Sequence, residues 1–366
     1  MVFLVYNAMA QTSQDALGET TVVDTDVHLT VHPEDLAQYI DEPHKTHVSN
    51  TTYGTPFPSS GWDQWMGGKI DDNWSTFTST EEIDQFCEDF NVDHPIINTF
   101  DPLGKFPQDK LANALMRGYN DYVIDNILDE SEHKALIALA TQEPDKAAEE
   151  LDRLGDEDQF VGAYVGTTGS HPPLGDPQYD IMYKAAEDND LPIAFHGNAE
   201  DFMFEFPRQN QALNKFLQVH TLAHTWSQEL TLNSLITEGV PEKFPGLNFV
   251  FLESGIGWVP YTMHRLNKEY SIRRNEAPLL EKSPEEYIRE SCYFASQPLG
   301  EPNDPKHMNS LIEMVGAENL MYASDYPHWD FDHPSGVDKH LRSHFSAEQR
   351  QQVLYDTPIE AFKLNI

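Results

Sequence analysis

Short apolar runs recur along the chain, and each is followed by Gly, Pro, His or Asp and then by a stretch with helical spacing. Continuous apolar runs are typical of buried parallel strands, and their alternation with helical patterns predicts βα units. Eight runs predict strands, the seventh being the weakest: residues 21–27, 95–100, 135–140, 160–166, 192–196, 248–253, 292–295 and 320–325. Helical stretches between them lie at 110–128, 144–154, 180–188, 227–236, 305–315 and 347–356.

Eight βα units are the number that closes a (β/α)8 TIM barrel, so we predict this α/β fold, with a doubly wound parallel sheet as the alternative. We expect an N-terminal tail at 1–20 and a single barrel domain at 21–366. Residues 29–93 lack a barrel strand and contain three of the six tryptophans, Trp62, Trp65 and Trp74. This long insertion after the first strand is predicted to be a lid or binding loop, or else a structural subdomain with its own small core.

Charge narrows the classes of partner. The 366 residues include 61 acidic and 23 basic side chains, which gives a net charge of −38. Such a surface disfavours nucleic acid and anionic membranes, and it suits a cytoplasmic protein of a salt-accumulating organism. The two cysteines cannot form a disulfide framework, and no apolar run reaches membrane-spanning length. The first ten residues lack a basic segment, so we expect no signal peptide, and Met9 is a candidate true start.

Candidate chemistry lies at the carboxyl ends of the predicted strands, where barrel active sites form. Asp26 and His28 end the first strand and share one of its faces, with Asp24 one step deeper. His196 ends the fifth strand and Asp325 ends the eighth. Imidazole and carboxylate groups are ligands for Zn²⁺, Mn²⁺ or Fe²⁺, so the sequence predicts a divalent-metal site.

These segments resemble the amidohydrolase-2 family, which includes aminocarboxymuconate-semialdehyde decarboxylase and related aromatic-acid decarboxylases. The resemblance covers residues 21–366, is poor across 29–93, and is carried by Asp26-Val27-His28, AFHGNAE around His196, GVPEKFPGLNFVFLESGIGWVPY (239–261) and MYASDYPHWD (321–330). It implies a barrel holding one divalent metal ion, with Asp26, His28, His196 and Asp325 as ligands. It also implies a homodimer.

Two departures from the family pattern change the expected site. Many relatives have His-x-His on the first strand, whereas Asp26 makes the first ligand acidic and favours a harder metal such as Mn²⁺, with Zn²⁺ still possible. Decarboxylase relatives carry a histidine on the sixth strand, where this chain has Glu253. The acid–base role then falls to Glu253, or to His220 or His224, which lie four residues apart on one helix face. We slightly favour His224.

We therefore predict a metal-dependent enzyme that decarboxylates a small carboxylated aromatic or unsaturated compound. A hydrolase of an ester, amide or lactone would need the same ligands and is the alternative, and a metal-binding protein without catalysis is the third possibility. The predicted catalytic residues are Asp325, Glu253, His224 and His328. The predicted substrate contacts are Trp62, Trp65, Phe202 and Arg265.

Overall fold

The computed structural model describes residues 20–49, 77–99, 104, 106, 108–129, 131–197, 215–300, 302–328, 331–334, 336–337, 341 and 345–366. Eight parallel strands follow one another in chain order around a nearly closed barrel, which confirms the predicted TIM barrel. The strands are β1 (Val23–Leu29), β2 (His94–Thr99), β3 (Lys134–Leu139), β4 (Phe160–Gly166), β5 (Ile193–His196), β6 (Phe249–Leu252), β7 (Cys292–Ala295) and β8 (Leu320–Met321).

The last strand meets the first through a short seam. The β8 ladder ends at Met321, although the apolar run continues to Asp325. The Asp325 N–H donates to the Asp26 carbonyl at 3.0 Å, and the His28 N–H donates to the Tyr326 carbonyl at 2.9 Å. The chain after β8 therefore still follows β1, and it brings Asp325 beside the end of the first strand.

Helices cover the outside of the barrel. The described ones are α1 (Pro33–Leu36), α2 (His44–Ser49), α3 (Thr80–Phe90), α4 (Asp109–Val123), α5 (Pro144–Leu154), α6 (Asp180–Asp188), α7 (Phe216–Thr237), α8 (Val240–Lys243), α9 (Trp258–Arg273), α10 (Pro284–Ser291), α11 (Pro305–Val315), α12 (Ala347–Gln351) and α13 (Thr357–Phe362). Three of these have the predicted bounds, α5, α6 and α11. The α7 helix begins eleven residues before its predicted start, because the helix as a whole has no pronounced apolar face that sequence periodicity could detect.

The core lies between the strands and this helical layer, and every residue of β1, β4, β5 and β6 is buried. In the interval predicted as an insertion, α1, α2 and α3 are described, and the Thr30 N–H donates to the Phe77 carbonyl at 2.9 Å. Residues 1–19 of the predicted tail, Met9 among them, and the three tryptophans of the interval lie outside the described residues. Cys87 and Cys292 are free thiols. Among the described helices, none combines the length and the apolar run needed to cross a membrane.

Candidate metal centre

Four ligand-type side chains meet at the carboxyl end of the barrel. The alternation of β1 sends Asp26 and His28 to the same face, His196 is the last residue of β5, and Asp325 follows β8. One ligand atom from each lies within 4.8 Å of the others, and all four residues are at most 1% exposed. The structure therefore brings together the four residues that the sequence predicts as ligands.

The imidazole of His28 shows how a cation would fit among them. Its Nδ1 lies 3.2 Å from the Thr99 carbonyl oxygen, which can only accept, so Nδ1 carries the proton. The lone pair of Nε2 then faces Asp325 Oδ1 at 2.9 Å and Asp26 Oδ1 at 3.6 Å. Burial lowers the pKa of His28 to about 4, which keeps the ring neutral. An unprotonated nitrogen facing two carboxylate oxygens fits a shared metal ion.

His196 and Asp26 give a second indication. Nε2 of His196 lies 3.6 Å from Asp26 Oδ2, and among the described residues neither His196 ring nitrogen has a partner with hydrogen-bond geometry. Burial opposes ionisation of Asp26, but the neighbouring His196 and His28 outweigh it, so the pKa of Asp26 is lowered. Metal–ligand bonds of about 2.0–2.2 Å place neighbouring ligand atoms about 3.0–3.5 Å apart, close to these separations. The four side chains suit one divalent metal ion.

The predicted acid–base residues border this centre. Glu253 follows β6, and its Oε2 lies 3.1 Å from His196 Nε2, while its Oε1 lies 3.3 Å from His224 Nε2. Nδ1 of His328 contacts Asp325 Oδ1 directly and lies 3.9 Å from Glu253 Oε1. Burial, followed by the neighbouring histidines, holds the pKa of both His224 and His328 well below the usual value. Both rings are therefore neutral at pH 7.

Both carboxylates at the ends of β6 and β8 have unusual backbone conformations. The φ angle is 45° at Glu253 and 62° at Asp325, in the left-handed region that non-glycine residues rarely occupy. Such conformations cost about 1–3 kcal/mol and persist where surrounding structure fixes them, often at functional sites. Here they occur in the turns that follow β6 and β8, from which both side chains reach the metal centre.

Three buried residues that support the ligands were not predicted as site residues. Asn98 Nδ2 donates to Asp26 Oδ1 at 2.6 Å, and Gln297 Nε2 donates to Asp325 Oδ2 at 2.8 Å. Oδ1 of Asp24 accepts from the Ser324 N–H at 2.9 Å, and burial raises the pKa of Asp24 to about 7. Asn98 lies in β2 directly after Ile96 and Ile97, and Gln297 lies two residues after β7, so the signal for each was a polar residue close to the end of an apolar run.

Hydrogen bonds fix α7 against the strand ends and so place His224. Gln228 Nε2 donates to the carbonyl oxygens of Phe195 at 2.9 Å and Leu252 at 3.1 Å, which joins α7 to β5 and β6. Gly197 follows β5, and a Cβ there would lie 3.0 Å from the Cα of His224. The glycine therefore permits the close approach that brings the α7 histidines to Glu253.

The predicted substrate contacts are not among these residues. Trp62, Trp65 and Phe202 lie outside the described part of the chain. Arg265 is half exposed on α9, and its guanidinium lies 2.6 Å from Glu269 on the same helix. It lines a surface depression with Thr237 and Tyr270 and is not brought to the metal centre.

The sequence profile of the family described as Amidohydrolase matches residues 23–364. The chain belongs to this family. Among curated family relatives, the gamma-resorcylate decarboxylase of Polaromonas sp. strain JS666 is 24% identical over 266 residues, covering 69% of this chain and 78% of that protein. The gamma-resorcylate decarboxylase of Rhodococcus jostii strain RHA1 is 25% identical over 270 residues, covering 68% and 77% respectively.

Solved structures share the family barrel. The 5-carboxyvanillate decarboxylase of Sphingomonas paucimobilis superposes with a TM-score of 0.69 at 18% identity, covering 95% of this chain and all of that one. The dihydroxybenzoic acid decarboxylase of Polaromonas sp. JS666, solved with manganese and 2-nitroresorcinol, gives a TM-score of 0.67 at 17% identity, covering 95% and 98%. These similarities establish the common fold.

Proposed function

We propose that this protein is a divalent-metal-dependent decarboxylase of a hydroxylated aromatic carboxylate. The observation that carries the proposal is the convergence of Asp26, His28, His196 and Asp325 at the mouth of an amidohydrolase-family barrel. The gamma-resorcylate decarboxylases among the relatives support the reaction class. Both manganese, seen in a structural relative, and zinc fit this mixed set of imidazole and carboxylate ligands.

Decarboxylation requires a proton at the ring carbon that carries the carboxylate. Asp26, His28, His196 and Asp325 would hold the metal ion, which would supply Lewis-acid chemistry towards the substrate carboxylate. Asp325 Oδ1 contacts His328 Nδ1, so this pair can hold a proton next to the substrate and transfer it to the ring carbon. The carbon–carbon bond then breaks, its electron pair returns to the ring, and CO2 leaves. One proton is consumed for each CO2 released.

Glu253 and His224 form a further acid–base pair in this proposal. Their Oε1 and Nε2 atoms are 3.3 Å apart, and both side chains are buried. A buried carboxylate beside a neutral imidazole can accept the proton of a substrate hydroxyl and return it. For the aromatic ring of the substrate we keep the contacts proposed from the sequence, Trp62, Trp65 and Phe202, which lie outside the described residues.

A product assay tests the proposed reaction. Metal-loaded protein should release CO2 from 2,6-dihydroxybenzoate or a related hydroxybenzoate in molar KCl. Asp325→Asn should lower the rate by at least about 10³-fold, because it removes both a ligand and the proton-transfer carboxylate. The matched control Asp356→Asn changes an exposed aspartate between α12 and α13 that is not part of the metal centre, and it should leave the rate unchanged. Acid release from ester or lactone substrates without CO2 release would overturn the lyase proposal and favour hydrolysis.

We further propose a cytoplasmic homodimer adapted to concentrated salt. The excess of 61 acidic over 23 basic residues supports adaptation to salt. Exposed apolar side chains on outer helices, among them Tyr261 and Ile272 of α9, support self-association. Light scattering with size-exclusion chromatography in 2 M KCl should give twice the mass of one chain, and a mass of one chain would contradict the dimer.

A further inference from the structure

A second group of metal-ligating side chains lies beside the first centre. His220 and His224 project from α7, and Glu253 follows β6, with one ligand atom from each within 4.8 Å of the others. None of these residues belongs to the four-residue centre. We propose that His220, His224 and Glu253 form a second divalent-cation site, of a type that prefers Zn²⁺, and that Glu253 bridges the two metal ions.

The donor set selects the class of cation. Two imidazoles and one carboxylate are the protein ligands of several zinc enzymes, and they leave a coordination position for water or substrate. Calcium and magnesium prefer sites built from oxygen atoms, so an imidazole-rich site disfavours both. The second site has two imidazoles and one carboxylate, whereas the first has two of each, so the second should favour zinc over manganese more strongly.

The geometry fits a bound cation. Oε1 of Glu253 lies 3.3 Å from His224 Nε2, within the separation of about 3.0–3.5 Å expected for two ligands of one zinc ion. His220 and His224 are four residues apart on α7, which places both on one helix face, and their ring centroids are 5.4 Å apart. The helix therefore presents a paired imidazole ligand towards Glu253.

Burial of the proposed ligands also favours binding of a cation. His224 and Glu253 are each 5% exposed, and the pKa of His224 is held well below the usual value by burial and by the nearby His220. A neutral imidazole has the free lone pair that metal binding requires. His220 is only partly buried, so a cation could reach the pair from the side of this residue.

Glu253 links the two sites because each of its oxygens faces a different one. Its Oε2 lies 3.1 Å from His196, a ligand of the first centre, and its Oε1 faces His224. A cation bound by Glu253 and His224 occupies the atoms that serve acid–base chemistry in the proposed reaction. Excess zinc should therefore inhibit decarboxylation. This consequence rests on the proposed function, whereas the second site itself does not.

Metal stoichiometry tests the site directly. The full-length protein is freed of metal with a chelator, dialysed against Zn²⁺, and analysed by plasma mass spectrometry. Wild type should hold two zinc ions per chain, and His220→Ala should hold one, with its thermal midpoint within a few degrees of wild type. The matched control is His264→Ala, an exposed histidine on α9, which should retain two.

Each outcome decides the proposal. One zinc per chain in wild type, or two in His220→Ala, would overturn the second site. Asp26→Ala should remove zinc from the first site and leave one ion, which His220→Ala in the same chain should then remove. In CO2-release assays, the rate of each protein in excess zinc is divided by its own maximal rate. Inhibition by excess zinc should be at least fivefold stronger in wild type than in His220→Ala. Absence of CO2 release in every variant would contradict the proposed reaction while leaving the stoichiometry to decide the site.

Discussion

Gln297 orients the carboxylate of Asp325 through one of its two oxygens. The amide donates to Oδ2 at 2.8 Å, which leaves Oδ1 facing His28 and His328. Gln297 is fully buried and lies two residues after the end of β7. This contact fixes which oxygen of Asp325 is available to the metal ion, as outer ligand partners do in metal sites generally.

Replacement of Gln297 by leucine should therefore weaken metal binding. The Gln297→Leu variant loses the donor to Oδ2, so we expect a metal affinity about 10–100-fold lower than in wild type. Competition with a fluorescent chelator measures the dissociation constant. The control Gln178→Leu changes an exposed glutamine and should leave the affinity unaltered. An affinity of Gln297→Leu within twofold of wild type would show that Asp325 is oriented without this hydrogen bond.

His333 should make the stability of the folded protein depend on pH. Burial lowers its pKa to about 4 from 6.5, and its ring packs against Phe90 with centroids 5.1 Å apart. Between pH 6.5 and 4 the unfolded chain binds a proton at this residue that the folded chain does not. The folded state therefore loses stability as the pH falls through this window.

The His333→Gln variant should lose less stability than wild type over that window. We expect the difference in the pH-dependent change to be about 1–2 kcal/mol, after allowance for partial exposure of the ring. Urea denaturation at pH 7 and pH 4.5 measures it. His307→Gln, at an exposed histidine of α11, is the control and should behave as wild type. Parallel loss in wild type and His333→Gln would assign the acid sensitivity to other titratable groups, such as Asp26.

At the scale of elements, the approach of α7 to β5 depends on Gly197. A Cβ at this position would lie 3.0 Å from both His224 Cα and Ser227 Oγ. The Gly197→Ala change should push α7 outward and lower the free energy of unfolding by about 1–3 kcal/mol. It should also weaken zinc binding by His224 at the proposed second site. Chemical denaturation measures the first effect.

Gly300→Ala is a suitable control for that variant. A Cβ at Gly300 would meet only the flexible end of Met308 at 3.9 Å, so no helix has to move. We expect its stability to lie within about 0.5 kcal/mol of wild type. Equal stability of Gly197→Ala and Gly300→Ala would mean that α7 can shift without cost.

The strands and the residues at their ends show which features of the fold and the site were predictable from the sequence. Strands β4 and β7 have the predicted bounds because polar residues limit their apolar runs on both sides. Asp26, His28, His196 and Asp325 were predictable because parallel strands of a barrel end at one face, which makes distant residues neighbours. Gln297 and Asn98 escaped because their role lies in hydrogen bonds to particular ligand oxygens, and such pairings depend on the register of neighbouring strands.

On the scale of the whole molecule, the net charge of −38 opposes folding through self-repulsion. Screening shortens the range of this repulsion to about 10 Å at 0.1 M salt and about 3 Å at 1 M. We therefore expect the thermal midpoint to rise by several degrees between 0.05 and 1 M KCl. A falling or constant midpoint would contradict the role assigned to the acidic surface.

A matched variant isolates the contribution of charge to this salt effect. Asp156→Asn, Glu157→Gln and Asp158→Asn together remove three exposed charges from the turn before β4. The midpoint of this triple variant should rise less steeply with KCl than that of wild type. Identical slopes would attribute the stabilisation to preferential exclusion of salt from the surface and not to screening.

The seam between the first and last strands has a consequence for synthesis of the protein. Two predicted ligands, His28 and Asp325, are 297 residues apart in the chain yet lie 2.9 Å apart in space. A nascent chain emerging from the ribosome cannot assemble the four-ligand centre until Asp325 has been translated. Metal capture should therefore coincide with closure of the barrel, and the bound ion would cross-link the two ends of the domain. Any fragment that lacks the last 42 residues would carry three ligands and no seam.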